Sequence, residues 1–247
     1  MAFFRFIDAH IHLHEYDKVE DLINKLDSYL LVAVSDDLES SIKTIELWKN
    51  YPDIIKPCIG LHPWSVSEVD QPMKQAVEVS RLALRYGIDC IGEVGLDKRF
   101  VPDTIDKQLE VFKIFLDTAL EVNATLNLHT PDAWEEVLDM IVSKGIARAN
   151  FHWYTGPSEL LKRIAMEGYT ISVNPALRIQ KKHREIVKKA ELSIIVTESD
   201  APYTYKGVRL SPLLIPETIE LIAEIKALPR DIIAERIIDN AKRIFNV

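Results

Sequence analysis

Eight short apolar segments, rich in β-branched and aromatic residues, recur along the chain, and an amphipathic stretch separates each from the next. Several of these segments are continuous apolar runs, which is typical of parallel strands covered on both faces. The predicted strands are 4–9, 30–35, 56–61, 90–94, 125–129, 149–152, 169–174 and 193–197. The predicted helices are 18–28, 38–50, 70–86, 104–122, 132–144, 158–167, 182–191, 215–226 and 230–245.

Eight strand–helix units in a chain of 247 residues predict an α/β fold, a closed (β/α)8 TIM barrel. The structural alternative is an open, doubly wound sheet. The nucleotide-binding form of that alternative is disfavoured, because no GxGxxG or GxxxxGKS/T motif follows the first strand. No linker or break in composition interrupts the pattern, so we expect a single domain over 1–247.

Composition excludes several other classes of protein. With 47% hydrophobic residues and only 8 glycines, the chain is neither disordered nor collagen-like. No apolar run approaches the roughly 18 residues that span a bilayer. Arg5, Asp8 and His10 interrupt the opening segment, which therefore does not resemble a signal peptide. We expect a cytoplasmic protein with no membrane association and no obligate protein partner.

The net charge of -8 argues against broad, sequence-independent adhesion to nucleic acid or to acidic membranes. An acidic enzyme can still accept a polyanion where bound cations offset its charge. The two cysteines, Cys58 and Cys90, form no CxxC motif and lie in apolar segments. We expect them to be buried, reduced thiols.

Side chains that bind metals fall at the ends of the predicted strands. In a parallel barrel these ends open onto one face, which carries the active site, so residues far apart in sequence would converge there. A lone histidine or loop carboxylate at such a position is usually structural, so the indication of a metal site comes from six residues taken together. The candidate ligands are His10 and His12 after the first strand, Glu93 at the fourth, His129 at the fifth, His152 at the sixth and Asp200 after the eighth.

The residue types suit divalent cations. In His10-Ile11-His12 the two imidazoles leave the same face of an extended strand and can hold one ion together. Nitrogen and carboxylate ligands suit zinc, manganese or iron, and magnesium tolerates fewer nitrogens. The set is large enough for two ions about 3.5–4 Å apart that share a carboxylate and a water. Glu93 is the candidate bridge, and Asp200 is the candidate ligand and general base.

Six motifs occur in a characteristic order. They are DAHIHL at 8–13, IGLHPW at 59–64, IGEVGLD at 91–97, LHTPDA at 128–133, HWYTG at 152–156 and TESDAPY at 197–203. Together they resemble the TatD family of metal-dependent deoxyribonucleases, which belongs to the amidohydrolase-like TIM-barrel enzymes. The resemblance covers essentially the whole chain.

This resemblance implies hydrolysis of phosphodiester bonds in DNA, typically as a 3′-to-5′ exonuclease. Its mechanism would be attack on phosphorus by a metal-bound hydroxide, with Asp200 as the base. It also implies two divalent ions, of zinc, manganese or magnesium. Their implied ligands are His10, His12, Glu93 and Asp200 for one ion, and Glu93, His129 and His152 for the other.

Further residues near the strand ends are candidates for supporting roles. His62 is a candidate for binding a substrate phosphate, and Glu198 for orienting a ligand. Arg178 and Lys181, which begin the most basic stretch of the chain, are candidates for contacting a polynucleotide backbone. The remaining candidates are Trp64, Trp134 and Trp153, which either pack internally or stack on bases, and His14 and His183, which we expect on the surface.

Two alternatives to a deoxyribonuclease remain open. The same metals could serve a hydrolase of a small-molecule amide, lactone or phosphoester, because a metal site indicates hydrolysis more firmly than it indicates a substrate. A metal-binding barrel without turnover is the second alternative. An open site that contains both Glu93 and Asp200 disfavours it, because structural ions are usually held in closed sites.

Overall fold

In the computed structural model, which describes residues 5–247, parallel strands alternate with helices as the sequence predicts. The predicted start of the first strand, at position 4, lies outside these residues. The parallel strands are β1 Phe6–Ile11, β2 Tyr29–Ala33, β3 Ile55–Pro57, β4 Cys90–Gly95, β5 Thr125–His129, β6 Arg148–Phe151, β7 Thr170–Val173 and β8 Ile195–Thr197.

The helices follow the predicted positions closely. Two very short antiparallel strands, β9 Thr204–Tyr205 and β10 Val208–Arg209, form a hairpin after β8. The helices are α1 Val19–Ile23, α2 Leu38–Asn50, α3 Pro72–Tyr86, α4 Ile105–Glu121, α5 Trp134–Lys144, α6 Leu161–Met166, α7 Lys181–Lys189, α8 Ile215–Lys226 and α9 Arg230–Phe245. No helix within residues 5–247 combines the length and apolar character needed to cross a membrane.

The strands are joined in chain order into a barrel. β1, β2 and β3 pair in parallel, and so do β4 to β8. A parallel bridge between Ile59 and Ile91 joins the first group to the second. The amide of Asp200 donates to the carbonyl of His10 at 2.9 Å, which brings the end of β8 against β1. The prediction of a (β/α)8 TIM barrel is confirmed.

One cysteine directly follows β3, and the other begins β4. Cys58 and Cys90 are fully buried, their Cα atoms are 4.5 Å apart, and they form a disulfide. The expectation of reduced thiols is therefore wrong. The spacing of 32 residues in sequence gave no hint of the pairing, because only the barrel makes these two strand segments neighbours.

The helical layer buries one histidine of the basic stretch. His183 in α7 is fully buried, and it shares the inner face of the helix with Ile186 and Val187. Neither ring nitrogen makes a hydrogen bond of good geometry within the described part of the chain. Burial lowers the pKa of His183 to about 4. The expected surface position of His183 is wrong, because the helical period turns position 183 inward.

We predict that His183→Leu makes the protein less sensitive to acid. The native pKa of about 4 lies below the usual value of about 6.5, so the unfolded chain binds the proton first as the pH falls. Wild-type stability should therefore decline between these two pH values, by up to roughly 3 kcal/mol more than that of the variant. Thermal unfolding measured from pH 7 to pH 4 checks this.

A matched control for this comparison is Lys182→Gln, which changes the exposed neighbouring charge. It should keep the wild-type pH dependence. Parallel curves for wild type and His183→Leu would contradict the prediction.

Candidate active site

The first group of candidate ligands lies at the ends of β1, β4 and β8. The Nε2 atoms of His10 and His12 are 3.2 Å apart. Glu93 Oε2 lies 3.1 Å from His10 Nε2 and 3.5 Å from His12 Nε2. Asp200 Oδ1 lies 3.7 Å and 3.4 Å from the same two nitrogens. These four side chains therefore direct their ligand atoms into one small volume.

The second group surrounds the other oxygen of the same glutamate. Glu93 Oε1 lies 2.8 Å from His129 Nδ1, 2.9 Å from His152 Nε2 and 3.3 Å from His62 Nε2. His129 Nδ1 is 3.2 Å from His152 Nε2. Glu93 is only 1% exposed, and its two oxygens divide between the two groups. The structure thus brings together all six residues that the sequence analysis proposed as ligands, and adds His62 beside them.

Two glycines allow the strands that carry these residues to approach closely. A Cβ atom at Gly60 would lie 2.6 Å from the carbonyl oxygen of Glu93. A Cβ atom at Gly95, where φ is +143°, would lie 2.1 Å from the carbonyl oxygen of His129. Any larger residue at either position would displace the backbone that positions Glu93 and His129.

The ring of His10 is oriented by Asn127. The amide nitrogen of Asn127 donates to the carbonyl of Ala9 at 2.7 Å, so its oxygen faces His10 Nδ1 at 3.1 Å. That oxygen can only accept, so the proton of a neutral His10 ring lies on Nδ1. The lone pair on Nε2 therefore points at Glu93.

Asp97 orients His129 in the same way. The Nε2 atom of His129 donates to Asp97 Oδ2 at 2.8 Å, and the indole of Trp64 donates to the same oxygen at 2.6 Å. Burial by itself raises the pKa of Asp97, but its hydrogen bonds, that from His129 foremost, bring it down to about 2. Asp97 is therefore an acceptor, so a neutral His129 ring carries its proton on Nε2 and its Nδ1 lone pair faces Glu93. The sequence analysis did not single out Asp97, although it ends the motif that contains Glu93.

His62 has the opposite tautomer. Its Nδ1 atom accepts a hydrogen bond from the amide of Trp64 at 3.0 Å, so the ring proton lies on Nε2. Burial lowers the pKa of His62, which keeps the ring neutral. His62 Nε2 is therefore a hydrogen-bond donor that points into the site, unlike the lone pairs of His10 and His129.

Glu198 and Asp36 lie near the Nδ1 atoms of the other two candidate histidine ligands, His152 and His12. Glu198 Oε1 is 3.7 Å from His152 Nδ1 and accepts the amide of Trp153 at 2.9 Å. Asp36 Oδ1 is 3.1 Å from His12 Nδ1. The sequence analysis proposed the position of Glu198 and missed Asp36, because Asp36 follows a strand without a motif around it.

Asp8 anchors the first strand against the eighth. Its Oδ1 atom accepts the amides of Ser199 at 2.7 Å and of His10 at 3.3 Å. Burial raises the pKa of Asp8 to about 8. These bonds couple the positions of His10 and Asp200, because His10 is one of the two donors and Asp200 directly follows the other.

A cavity of about 490 Å³ opens above the two groups of ligands. Of the lysines and arginines among the described residues, only Arg99 lines it, and Arg99 is paired with Asp132 at 2.8 Å. Arg178 is paired with Glu217 instead, and neither Arg178 nor Lys181 lines this cavity. The aromatic lining residues are Trp64, Phe100, Trp134, Trp153, Tyr203 and Tyr205.

A TIM barrel with histidines and carboxylates gathered at the carboxyl ends of its strands is the arrangement of a metal-dependent hydrolase. Residues 7–246 match the sequence model of the family described as TatD related DNase. The chain belongs to this family, as the sequence motifs indicated.

Known proteins are similar to the chain over nearly its whole length. An uncharacterized metal-dependent hydrolase of Methanocaldococcus jannaschii is 28% identical over 248 residues, which cover 98% of this chain and 97% of the relative. The deoxyribonuclease TATDN3 of Homo sapiens is 26% identical over 259 residues, 97% of this chain and 94% of the relative. The crystal structure of the Escherichia coli TatD homologue YjjV superposes with a TM-score of 0.87, at 22% identity and 98% coverage of both chains.

We predict that Asp97→Asn destabilises the fold. In an asparagine one of the two acceptor oxygens becomes an amide donor. That donor faces either the ring nitrogens of His129 and Trp64 or the backbone amides of Arg99 and Phe100. Unsatisfied buried groups cost about 1–3 kcal/mol. The midpoint of thermal unfolding should fall by several degrees. The ¹⁵N NMR signals of His129 should show that the Nε2 proton is no longer fixed.

Asp132→Asn is the control for this variant, because it weakens only the exposed pair with Arg99. Exposed pairs contribute about 0–1 kcal/mol. Equal losses of stability in the two variants would contradict the role assigned to Asp97.

Proposed function

We propose that the chain binds two divalent ions and hydrolyses phosphodiester bonds at the 3′ end of DNA. The observation that carries this proposal is the division of the two Glu93 oxygens between two groups of imidazoles. Each group offers a carboxylate and at least two ring nitrogens. The ligands we propose are His10, His12, Glu93 and Asp200 for one ion, and Glu93, His129 and His152 for the other.

The residues fit such ions. The tautomers of His10 and His129 leave lone pairs, not protons, facing the buried Glu93 carboxylate. Their separations from Glu93, 3.1 Å and 2.8 Å, resemble the roughly 3.3 Å between ligands that surround a zinc ion tetrahedrally. The donor set suits zinc and manganese, and magnesium less well. When bound, two such ions acidify a shared water and neutralise charge on phosphoryl oxygens.

We assign to Asp200 the role of the base that takes the proton of the attacking water. Its backbone is in the left-handed region, with φ at +55°, and its amide is bonded to the carbonyl of His10. Strained backbone of this kind persists where the surroundings hold it, and it concentrates at functional sites. The Asp200 side chain is 10% exposed and lines the cavity, so it is accessible to substrate and water.

His62 supplies a donor for the substrate. Its Nε2 proton points to the centre of the site, and its neutral ring adds no charge. A phosphoryl oxygen that gains negative charge during hydrolysis would accept this hydrogen bond. We therefore assign His62 to substrate binding and not to metal binding.

The size and the lining of the cavity support hydrolysis at the end of a DNA strand. A cavity of about 490 Å³ accepts a ligand of the size of a small molecule and not a continuous duplex. Trp64 is 39% exposed and Phe100 is 60% exposed, and both line the cavity. Exposed aromatic rings stack on bases without regard to sequence. A terminal nucleotide would therefore place its base on these rings and its phosphate at the metals.

A small-molecule phosphoester is the second candidate substrate. The observation that favours it is the lack of an unpaired lysine or arginine among the described lining residues, since Arg99 is paired with Asp132. A polynucleotide groove usually has basic walls.

We predict that Asp200→Asn keeps the fold but lowers turnover at least about 100-fold, because loss of a general base has effects of this size. Initial rates on a 3′-labelled single strand and circular dichroism check this. Asp103→Asn, an exposed change outside the cavity lining, should retain the wild-type rate. Near-normal turnover of Asp200→Asn would remove Asp200 from the mechanism.

A comparison of substrates separates the two candidates. With Mn²⁺ or Mg²⁺, wild-type protein should release the terminal nucleotide from 3′-labelled single-stranded DNA. It should act more slowly on the same DNA with a blocked 3′ end. If it cleaves only a small phosphodiester, amide or lactone, the deoxyribonuclease proposal is wrong.

A further inference from the structure

A second cluster of potential ligands lies on the rim of the cavity, next to the first group. One ligand atom from each of His12, His14, Glu15 and Asp36 lies within 4.8 Å of the others. His14 and Glu15 belong to a short turn after β1, and Asp36 follows β2. His14, which we expected on the surface, is half-buried at this rim: its side chain is 10% exposed and contacts Asp36.

The tautomer of His14 determines whether a proton or a lone pair on Nε2 faces Asp36. His14 Nδ1 lies 3.2 Å from the carbonyl oxygen of Val34, which can only accept, so a neutral ring carries its proton on Nδ1. The lone pair on Nε2 then points at Asp36 Oδ2, 3.0 Å away. Two acceptors at this distance repel each other unless a proton or a metal ion lies between them.

The other oxygen of Asp36 is not satisfied by a hydrogen bond. Oδ1 is 3.1 Å from His12 Nδ1, but within residues 5–247 neither atom makes a hydrogen bond of good geometry. Asp36 is 28% exposed on its side chain, so the carboxylate is open to solvent on one side. Lys43 binds the backbone carbonyl of His14 and holds the turn.

We propose that His14 Nε2, the Asp36 carboxylate and the Glu15 carboxylate form a third divalent-cation site, which we call the rim site. It is separate from the two-ion site around Glu93 proposed above, which we call the paired centre. One imidazole and two carboxylates suit zinc or manganese, and the exposed side leaves room for water ligands. His12 completes the paired centre through Nε2 and contacts this rim site only through Nδ1.

The rim cation has a consequence for the substrate, which rests on the proposed function. The rim of the cavity carries Glu15, Asp36 and Glu68, which oppose the approach of a phosphate chain. A divalent cation bound by two of these three carboxylates offsets two of the three negative charges. The acidic protein can then accept a polyanion without a basic wall.

Counting bound ions tests this site. Metal-free protein is dialysed against Mn²⁺, and manganese per chain is measured by mass spectrometry. Wild type should bind three ions, His14→Phe two, and Glu93→Gln, which disrupts the paired centre, one. His183→Leu removes a histidine elsewhere and should bind as many ions as wild type.

The outcomes separate the two proposals. Equal numbers of ions in wild type and His14→Phe, or a loss of more than one ion, would overturn the rim site. Retention of all wild-type ions by Glu93→Gln would instead overturn the paired centre and leave the rim site standing.

A measurement on the wild type covers the case in which His14→Phe fails to fold. Saturating Zn²⁺ should shift the ¹⁵N signal of His14 Nε2 to that of a metal-bound nitrogen. If this nitrogen stays protonated in excess Zn²⁺, a proton and not a metal ion lies between His14 and Asp36, and the rim site is disproved.

Discussion

The burial of one carboxylate among imidazoles organises this site. Glu93 is 1% exposed, and an ionised carboxylate in that position costs several kcal/mol unless positive charge or hydrogen bonds compensate it. Burial by itself would raise the pKa of Glu93, but the imidazoles around it bring that pKa well below its usual value. The hydrogen bonds that Asn127 and Asp97 make with His10 and His129 direct ring nitrogens at the two oxygens of Glu93.

In the barrel, the histidine rings are oriented by groups that are far from them in sequence. Asn127 on β5 sets the ring of His10 on β1, and Asp97 beyond β4 sets the ring of His129 on β5. In each case the second ring nitrogen is bound by an oxygen, so the first presents its lone pair. His62 differs because a backbone amide, and not an oxygen, faces its second nitrogen. The direction of one hydrogen bond thus distinguishes the proposed metal ligands, His10 and His129, from the proposed substrate donor, His62.

Much of the fold and of the site could be predicted. The spacing of apolar segments located the strands, and 125–129 matches β5 residue for residue. The convergence of the six proposed ligands could be predicted because the carboxyl ends of the parallel strands of a barrel share one open face. Asp97, Asp36 and the contact of His14 with Asp36 were missed, since each depends on a partner from another strand or loop. The disulfide was missed for the same reason, because Cys58 and Cys90 become neighbours only when β3 and β4 join.

The amino-acid sequence by itself determined the class of fold, the family and the side chains that can bind metal, because periodicity, motif order and residue chemistry are local properties of the chain. Only the tertiary structure decided which nitrogen of each imidazole faces the site, that Glu93 serves two groups, and that the basic stretch around Arg178 and Lys181 stays outside the cavity. These properties depend on distances of a few ångströms between residues that are tens of positions apart, and such distances exist only once the barrel has closed.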